Sequence, residues 1–358
     1  MATSTPKVSI LLPSLNLRKF VEARVDSLAK QTFTGWEAIV LDSQSTDGSW
    51  EFFESVAKTD SRFHLYQIPR EGLYAALNRG LDLATGEFLY IAPCDDTMAP
   101  EFFTQMIDAL ERWPEAGIAV CDCLFINQNG HELRAEDMSH RLSKRQIRNL
   151  LRSGNVRASL SPGSRRKTNY RPPPHDCLLH FTGRSVYFSL TQLLIRTASA
   201  KAAGSFETNV GSAADFGWLV RLTSLTGSVH LPKRLATWRF HGDQLSLRRD
   251  NTRLSAMSRM CREILPAICQ RYPDLLTNRD RQLLMLPYKA LLARSLMRRV
   301  GYWLEGFASF WPIFLRHPLA TLRTLSQTGV RVGMSRNFPI ATVFQRTGLA
   351  PRDLGLNS

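Results

Sequence analysis

The chain has 358 residues, 46 Lys and Arg against 31 Asp and Glu, a net charge of +15 and 44% hydrophobic residues. That balance excludes a disordered or fibrous chain, and the length suits one large or two moderate domains, since single cores stop growing at roughly 250–300 residues. The six cysteines (Cys94, Cys121, Cys123, Cys177, Cys261, Cys269) contain no CxxC pair, which argues against a disulfide framework or zinc ribbon and for free thiols in a reducing compartment.

In chain order, no charged segment leads into a long apolar stretch at the N-terminus, so no signal peptide is expected. Val8 to Leu12 is a short apolar run stopped by Pro13, the pattern of a buried parallel strand. Residues 18–31 place Phe20, Val21, Val25 and Leu28 at helical spacing with a polar far face. Ala38 to Leu41 predicts a second strand, Ser49 to Lys58 a second helix, and His64 to Ile68 a third strand. Tyr74 to Leu83 then predicts a third helix and Glu87 to Ala92 a fourth strand. Strands alternating with helices of about ten residues are βαβ units, which assemble into a doubly wound parallel sheet. A helix over Pro100 to Arg112, a strand over Gly117 to Cys123 and a hairpin turn at Asn127 to Gly130 follow.

Residues 140–175 carry ten Lys and Arg and no acid, and contain Pro162, Gly163 and Pro172 to Pro174. This insertion reads as a basic loop or lid with one helix at 143–152. Order resumes over Phe181 to Arg196, with a helix over Asp215 to Leu225 and strands over Val229 to Arg239. Beyond residue 250 the pattern is helical. Trp303 to Leu315, interrupted by Glu305 and Pro312, is too short an apolar run for a membrane span, so none is predicted.

Residues 248–358 hold eighteen Lys and Arg against six acids, or +12, and with +10 in the insertion the remaining body is −7. No basic stripe falls on a recognisable nucleic-acid-binding module, which argues against that partner. An acidic body with basic appendages fits a catalytic core held near an anionic surface. Trp303, Phe307, Phe310 and Trp311, flanked by arginines, fit a helix lying in a membrane interface and equally a helical subdomain packed on the core. The insertion's cations fit a phosphorylated or acidic acceptor, anionic headgroups, or a solvated loop.

In doubly wound sheets ligands bind beyond the carboxyl ends of the strands, which selects Pro13 to Asn16, Asp42 to Gly48 and Pro93 to Asp96. No GxGxxG follows the first strand and no GxxxxGK motif occurs, so neither a dinucleotide fingerprint nor a P-loop is present. The adjacent carboxylates Asp95 and Asp96 repel each other, a conflict that a divalent cation with oxygen ligands relieves while bridging phosphates. A solvated loop with an Asp capping the next helix is the other reading.

Five segments in register, VSILLPSLN, WEAIVLDSQSTDGSWE, EGLYAALNRGLDLATGEFLYIAPCDD, GSFETNVGSAADFGWLVRL and WRFHGDQLS, resemble those of the GT-A glycosyltransferases of family 2. They match that family's opening strand, nucleotide segment, aspartate-pair signature, acceptor-side segment and closing Arg-x-His stretch, over residues 7–247. The resemblance implies a GT-A, Rossmann-like α/β fold for residues 1–247, with a doubly wound, mixed, mostly parallel sheet, and a basic helical extension over 248–358. It implies that Ser14, Asn16, Asp42 and Asn78 contact a nucleotide-sugar donor and that Asp95 faces its ribose or phosphates. It further implies that Asp96 binds Mn2+ or Mg2+, that Asp215 is the catalytic base, and that His241 approaches the diphosphate or the metal.

Each role has a chemical reason. A carboxylate such as Asp42 accepts the imide N–H of uracil or thymine, Asp96 supplies a hard oxygen ligand, and Asp215 can take the proton of an acceptor hydroxyl. Without the resemblance, Asp42 and Asp47 read as turn formers, Asp215 as a helix N-cap, His241 as a loop histidine and Asn78 as a packing residue. The chain departs from the pattern at Pro93, Ala75 and Ala214, where many relatives are acidic.

The implied activity is inverting transfer from a UDP-sugar, or a dTDP- or GDP-sugar, to a hydroxyl of a saccharide or lipid-linked saccharide. The implied setting is cell-surface polysaccharide or lipopolysaccharide assembly, in the cytoplasm and at the inner face of the membrane. A nucleotidyltransferase would share the sheet, but its Gly-rich, Arg-bearing loop after the first strand is missing. A non-catalytic binder of nucleotides or anionic polymers is the remaining alternative.

Overall fold

The apolar run at the N-terminus forms β1 (Val8–Ser14), buried along its whole length. The computed structural model describes residues 6–133, 168–181, 186–242, 244, 253–285 and 352–353. The chain continues through α1 (Arg18–Ala29), β2 (Trp36–Asp42), α2 (Ser49–Thr59), β3 (Phe63–Gln67), α3 (Leu73–Leu83), β4 (Phe88–Ile91), α4 (Phe102–Arg112) and β5 (Ala116–Ile126). Then come β6 (Asn169–Arg171) and α5 (His175–His180), which begin within the insertion, and β7 (Leu193–Arg196), α6 (Thr197–Ala202), α7 (Ala214–Leu225) and β8 (Gly227–Arg239). Helices α8 (Arg253–Arg271) and α9 (Asn278–Leu284) and the short strand β9 (Arg352–Asp353) complete the described elements.

The strand order is β3-β2-β1-β4-β7-β5-β8-β6-β9. β1, β2, β3 and β4 pair in parallel, as do β5 and β8. β7 runs against its neighbours β4 and β5, and β6 runs against β8 and β9. The sheet is therefore mixed and mostly parallel, as expected. The antiparallel β7 and β6 are not legible in the local pattern, because β7 is a four-residue apolar segment with no directional signal.

Side chains alternate across β1, so both faces must be covered. Val8, Ile10 and Leu12 join one buried cluster with residues of α1, α2 and α4, such as Val21, Phe53 and Phe102. Leu11 joins a second with Leu77 of α3, Trp218 of α7 and Met260 of α8. At Gly86 a Cβ would stand 2.7 Å from Ser9 N and 2.9 Å from Val8 C, both backbone atoms of β1. Gly86→Ala is expected to lower stability by about 3 kcal/mol, read as a reduced urea midpoint at unchanged m-value. A change under about 0.5 kcal/mol would show that β1 shifts freely.

Three expectations need correction. The end of the insertion is not loop: Asn169–Arg171 is a sheet strand antiparallel to β8. The region beyond 250 is not wholly helical, since Arg352 and Asp353 pair with β6. Arg171 is not an available surface cation either; it is 1% exposed and paired with Asp176 (Nε to Oδ1, 2.8 Å). Its strand carries it inward between β8 and α5, so sequence charge alone misplaced it. The helix expected at 143–152 and the aromatic stretch 303–315 lie outside the described residues. Helix α8, by contrast, buries Met257, Met260, Cys261 and Ile268 against the sheet's helical layer. No described helix is long and apolar enough to cross a membrane.

Around Arg171 lies an internal polar network. Asp176 accepts hydrogen bonds from Arg171 Nη2 (3.0 Å) and Ser228 Oγ (2.6 Å), as well as from the Tyr187 hydroxyl, and meets His175 Nδ1 at 2.8 Å. Burial pushes the Asp176 carboxyl up, but Arg171, His175 and Ser228 hold it well below the usual carboxylate range. Nearby, His230 Nε2 pairs with Asp122 Oδ1 at 3.0 Å and His180 Nδ1 with the Asp176 carbonyl at 2.7 Å. The six cysteines are all free thiols.

Candidate active site

The carboxyl edge of the sheet begins with Ser14 and Asp42, register partners across β1 and β2. Asp42 is fully buried, and its carboxylate accepts from Ser45 N–H (2.8 Å) and Ser45 Oγ (2.6 Å), closing an Asx-type turn. Ser45 Oγ accepts in turn from Asn16 N–H at 3.0 Å, and Asn16 Oδ1 accepts from Thr46 N–H at 2.8 Å. Asn16 sits at φ 54°, a left-handed conformation that Asn tolerates better than most residues. Asp47 ties the same loops to α1 by accepting from Arg18 N–H (2.8 Å) and from Ser49 N–H and Oγ. Burial raises the Asp47 carboxyl, but those bonds bring it below its ordinary value.

The Asp95–Asp96 turn follows β4, closed by Asp96 N–H donating to the Pro93 carbonyl at 3.3 Å. Arg239, the last residue of β8, holds it from the far side. Its N–H donates to Asp96 Oδ1 (2.9 Å), its Nε to the Asp95 carbonyl (2.6 Å), and its Nη1 to the carbonyls of Asn127 and Gln128. The guanidinium also stands over the Phe20 ring at 5.1 Å. His241 Nε2 lies 3.0 Å from Asp95 Oδ2, with its imidazole against Phe20 at 4.8 Å. Burial and the Asp95 charge push the Asp96 carboxyl well up, with Arg24 and Arg239 opposing.

Among the described residues, Asp95 Oδ1 and Asp96 Oδ2 accept no hydrogen bond, and no cluster of three His, Cys, Asp or Glu side chains able to hold a metal occurs. Two carboxylates with one uncommitted oxygen each are hard oxygen donors that would suit a Mg2+ or Mn2+. A self-sufficient protein cage is not what this turn offers.

Asp215 stands in the first turn of α7, partly exposed, with Oδ1 accepting from Phe216 N–H at 2.6 Å. Burial raises its carboxyl above the ordinary value, and the charge of Arg253, at the head of α8, opposes that rise. The Tyr74 phenol lies beside it and is itself raised, by burial and then by the Asp215 charge. Asn78 pairs its carboxamide with the Phe206 backbone, donating to its carbonyl (3.0 Å) and accepting from its N–H (2.7 Å). Phe206 in turn stacks on Trp218 of α7 at 4.6 Å and meets Tyr74 at 5.7 Å.

The fold thus joins Asp95, Asp96 and His241 at one turn, laces Ser14, Asn16 and Asp42 into the adjoining loops, and gathers Asn78 and Asp215 around Tyr74 and Phe206. Among the described residues no hydrogen bond links Asp215 to the aspartate pair. Sequence alone does not single out Phe20, Arg24, Tyr74 or Arg253 as site residues, and it offers Arg239 only as the Arg of the closing Arg-x-His stretch. Arg24 carries a signal, since it falls four residues after Phe20 and four before Leu28, inside the apolar stripe of α1. Tyr74 and Arg253 carry none, because only packing brings α3 and α8 to Asp215.

Comparison with known proteins agrees with this architecture. TuaG of Bacillus subtilis, a glycosyltransferase named for teichuronic acid biosynthesis, is 30% identical over 139 residues, 38% of this chain and 51% of TuaG. The chain spans 30–51% of the length of the first curated relatives it matches. Among solved structures, S. aureus TarS 1–349 in complex with UDP-GlcNAc superposes with a TM-score of 0.52 at 14% identity, covering 96% of this chain and 92% of that one. The mannosyltransferase PcManGT from Pyrobaculum calidifontis, in complex with GDP-Man and Mn2+, gives 0.51 at 18% identity, covering 97% and 86%. At these identities the structures establish the shared α/β fold. The family model for glycosyl transferase family 2 matches residues 9–174, the segment from β1 through the aspartate pair to the Pro174 that precedes α5, and over that segment the chain is similar to glycosyl transferase family 2.

Proposed function

We propose that this chain is an inverting glycosyltransferase that moves a sugar from a nucleotide-sugar, a UDP-sugar first among the candidates, to a hydroxyl of a saccharide or lipid-linked saccharide acceptor. The observation that carries the reading is the Asp95–Asp96 turn, fixed by Arg239 and His241 at the carboxyl edge of the sheet. The relatives' names support cell-surface polysaccharide assembly as the setting, and a cytoplasmic location at the inner face of the membrane follows from that setting.

In this reading the loops of Ser14, Asn16 and Asp42 bind the nucleotide, while Asn78 holds the Phe206 segment that frames Asp215. Asp95 and Asp96 hold Mn2+ or Mg2+; when bound, the ion supplies positive charge to the diphosphate leaving group. His241 and Arg239 fix the orientation of the two carboxylates. Asp215 removes the proton from the acceptor hydroxyl, whose oxygen attacks the anomeric carbon on the face opposite the nucleotide and so inverts its configuration.

The test is nucleotide release from a panel of UDP-, dTDP- and GDP-sugars with and without Mn2+, followed by determination of the anomeric configuration of the product. One donor is expected to be turned over in a Mn2+-dependent manner, with inversion. Retention of configuration, or binding of every nucleotide without transfer to any acceptor, would refute the reading.

A further inference from the structure

Arg24 is a fully buried guanidinium on α1, directly beneath the turn that carries Asp95 and Asp96. Its Nε donates to the Pro93 carbonyl at 2.9 Å, the same oxygen that receives Asp96 N–H and closes the turn. Its Nη1 reaches the Tyr90 hydroxyl at 3.4 Å, and that hydroxyl is held by Thr191 Oγ1 at 2.9 Å. Nη2 is buried and has no hydrogen-bond partner among the described residues, where Arg24 also forms no ion pair. A charged group withdrawn from water on these terms is strongly destabilising unless nearby opposite charge compensates it. The compensating charge comes from the aspartate pair: Asp96 is 2% exposed and lies within the field of Arg24, as do Cys94 and Tyr90. Neither donor binding nor proton removal by Asp215 gives Arg24 anything to do.

We propose that Arg24 is a built-in counter-cation for the Asp95–Asp96 turn, a positioning residue that offsets the repulsion between the two carboxylates before any donor or metal arrives and that sets how tightly the turn holds a divalent cation. The physical logic is a competition. With the guanidinium below the turn, the two carboxylates stay aimed outward without a metal, and an incoming cation meets a positive charge behind its ligands. Removing that charge leaves the empty turn in conflict and makes the cation more welcome. The proposal rests on the reading that Asp95 and Asp96 hold a divalent cation.

Calorimetric titration of MnCl2 into the full chain, with and without UDP, together with melting curves in both conditions, tests it. Arg24→Gln, which keeps a donor for the Pro93 carbonyl but not the charge, is expected to lower Tm without metal, to bind Mn2+ about tenfold more tightly, and to show a larger Mn2+-induced rise in Tm than the wild type. Arg24→Lys, which keeps the charge, is expected to bind Mn2+ within about threefold of the wild type. If Arg24→Gln binds Mn2+ no more tightly than the wild type and loses the same Tm with and without metal, Arg24 is only a brace for the turn and the proposal is overturned. If the wild type itself binds no Mn2+ in the presence of UDP, the cation reading fails first and takes this proposal with it. Should Arg24→Gln not fold, recovery of folding in the Arg24→Gln, Asp95→Asn double variant supports the charge role; failure of both variants to fold overturns it.

Discussion

Asp215→Asn is expected to lower kcat for sugar transfer by about 10²- to 10⁴-fold while leaving the affinity for UDP and the melting temperature close to those of the wild type. The carboxyl sits at the solvent-reaching start of α7 and accepts from the adjacent Phe216 N–H, a bond that an Asn oxygen also accepts. The substitution therefore removes the proposed proton acceptor and little of the packing. Because burial raises the Asp215 carboxyl above its ordinary value, the acid limb of the wild-type kcat/KM profile should lie above the range of a free aspartate, near about 4. The sign follows from the role: the base works only when deprotonated, so activity rises with pH through that limb. Turnover within about threefold of wild type in Asp215→Asn would move the base elsewhere.

Asp176→Ala is expected to destabilise the fold by about 3–5 kcal/mol, enough to leave much of the protein unfolded at moderate temperature. The change removes the acceptor for Ser228 and Tyr187 and strands the guanidinium of Arg171, itself 1% exposed. The same network makes the wild type acid-sensitive in two stages. Burial lowers the pKa of His175 and His230, and pushes that of His180 down to about 4. For a depressed histidine, the unfolded state binds the proton first, so this stability is present above about 6.5 and is lost as pH falls toward the folded value. Asp176, held below the usual carboxylate range, contributes stability that is lost only as pH falls below about 4. The urea midpoint is thus expected to decline from pH 7 to 4 and to fall more steeply beyond; a flat midpoint between pH 7 and 5 would contradict buried neutral histidines.

The carboxyl edge of the sheet is largely legible in the amino-acid sequence. Val8 to Leu12 and Ala38 to Leu41 announce buried parallel strands by continuous apolar character, and the rule that ligands gather at their carboxyl ends leads directly to Asp42 and to Asp95–Asp96. Asn78 marks the limit of such reading. An Asn in a signature segment looks like a ligand contact, and local spacing gives no sign that its carboxamide pairs with the Phe206 backbone 128 positions along the chain. Arg171 marks the same limit for charge, since ten cations spread over residues 140–175 say nothing about which one turns inward.

By itself the sequence determined the alternation of strands and helices, the order of the loops at the sheet's edge and the chemistry available there, because these depend on period, turn residues and side-chain type within a few positions. Only the tertiary structure decided that β8 runs parallel to β5 and ends where Arg239 N–H reaches Asp96 and His241 reaches Asp95. It also decided that β7 and β6 run against the sheet, that α8 brings Arg253 toward Asp215, and that Arg24 lies under the aspartate turn rather than in water. Each of these rests on which strand pairs with which and which face is covered. Those outcomes depend on contacts between residues far apart in the chain, for which local spacing carries no signal.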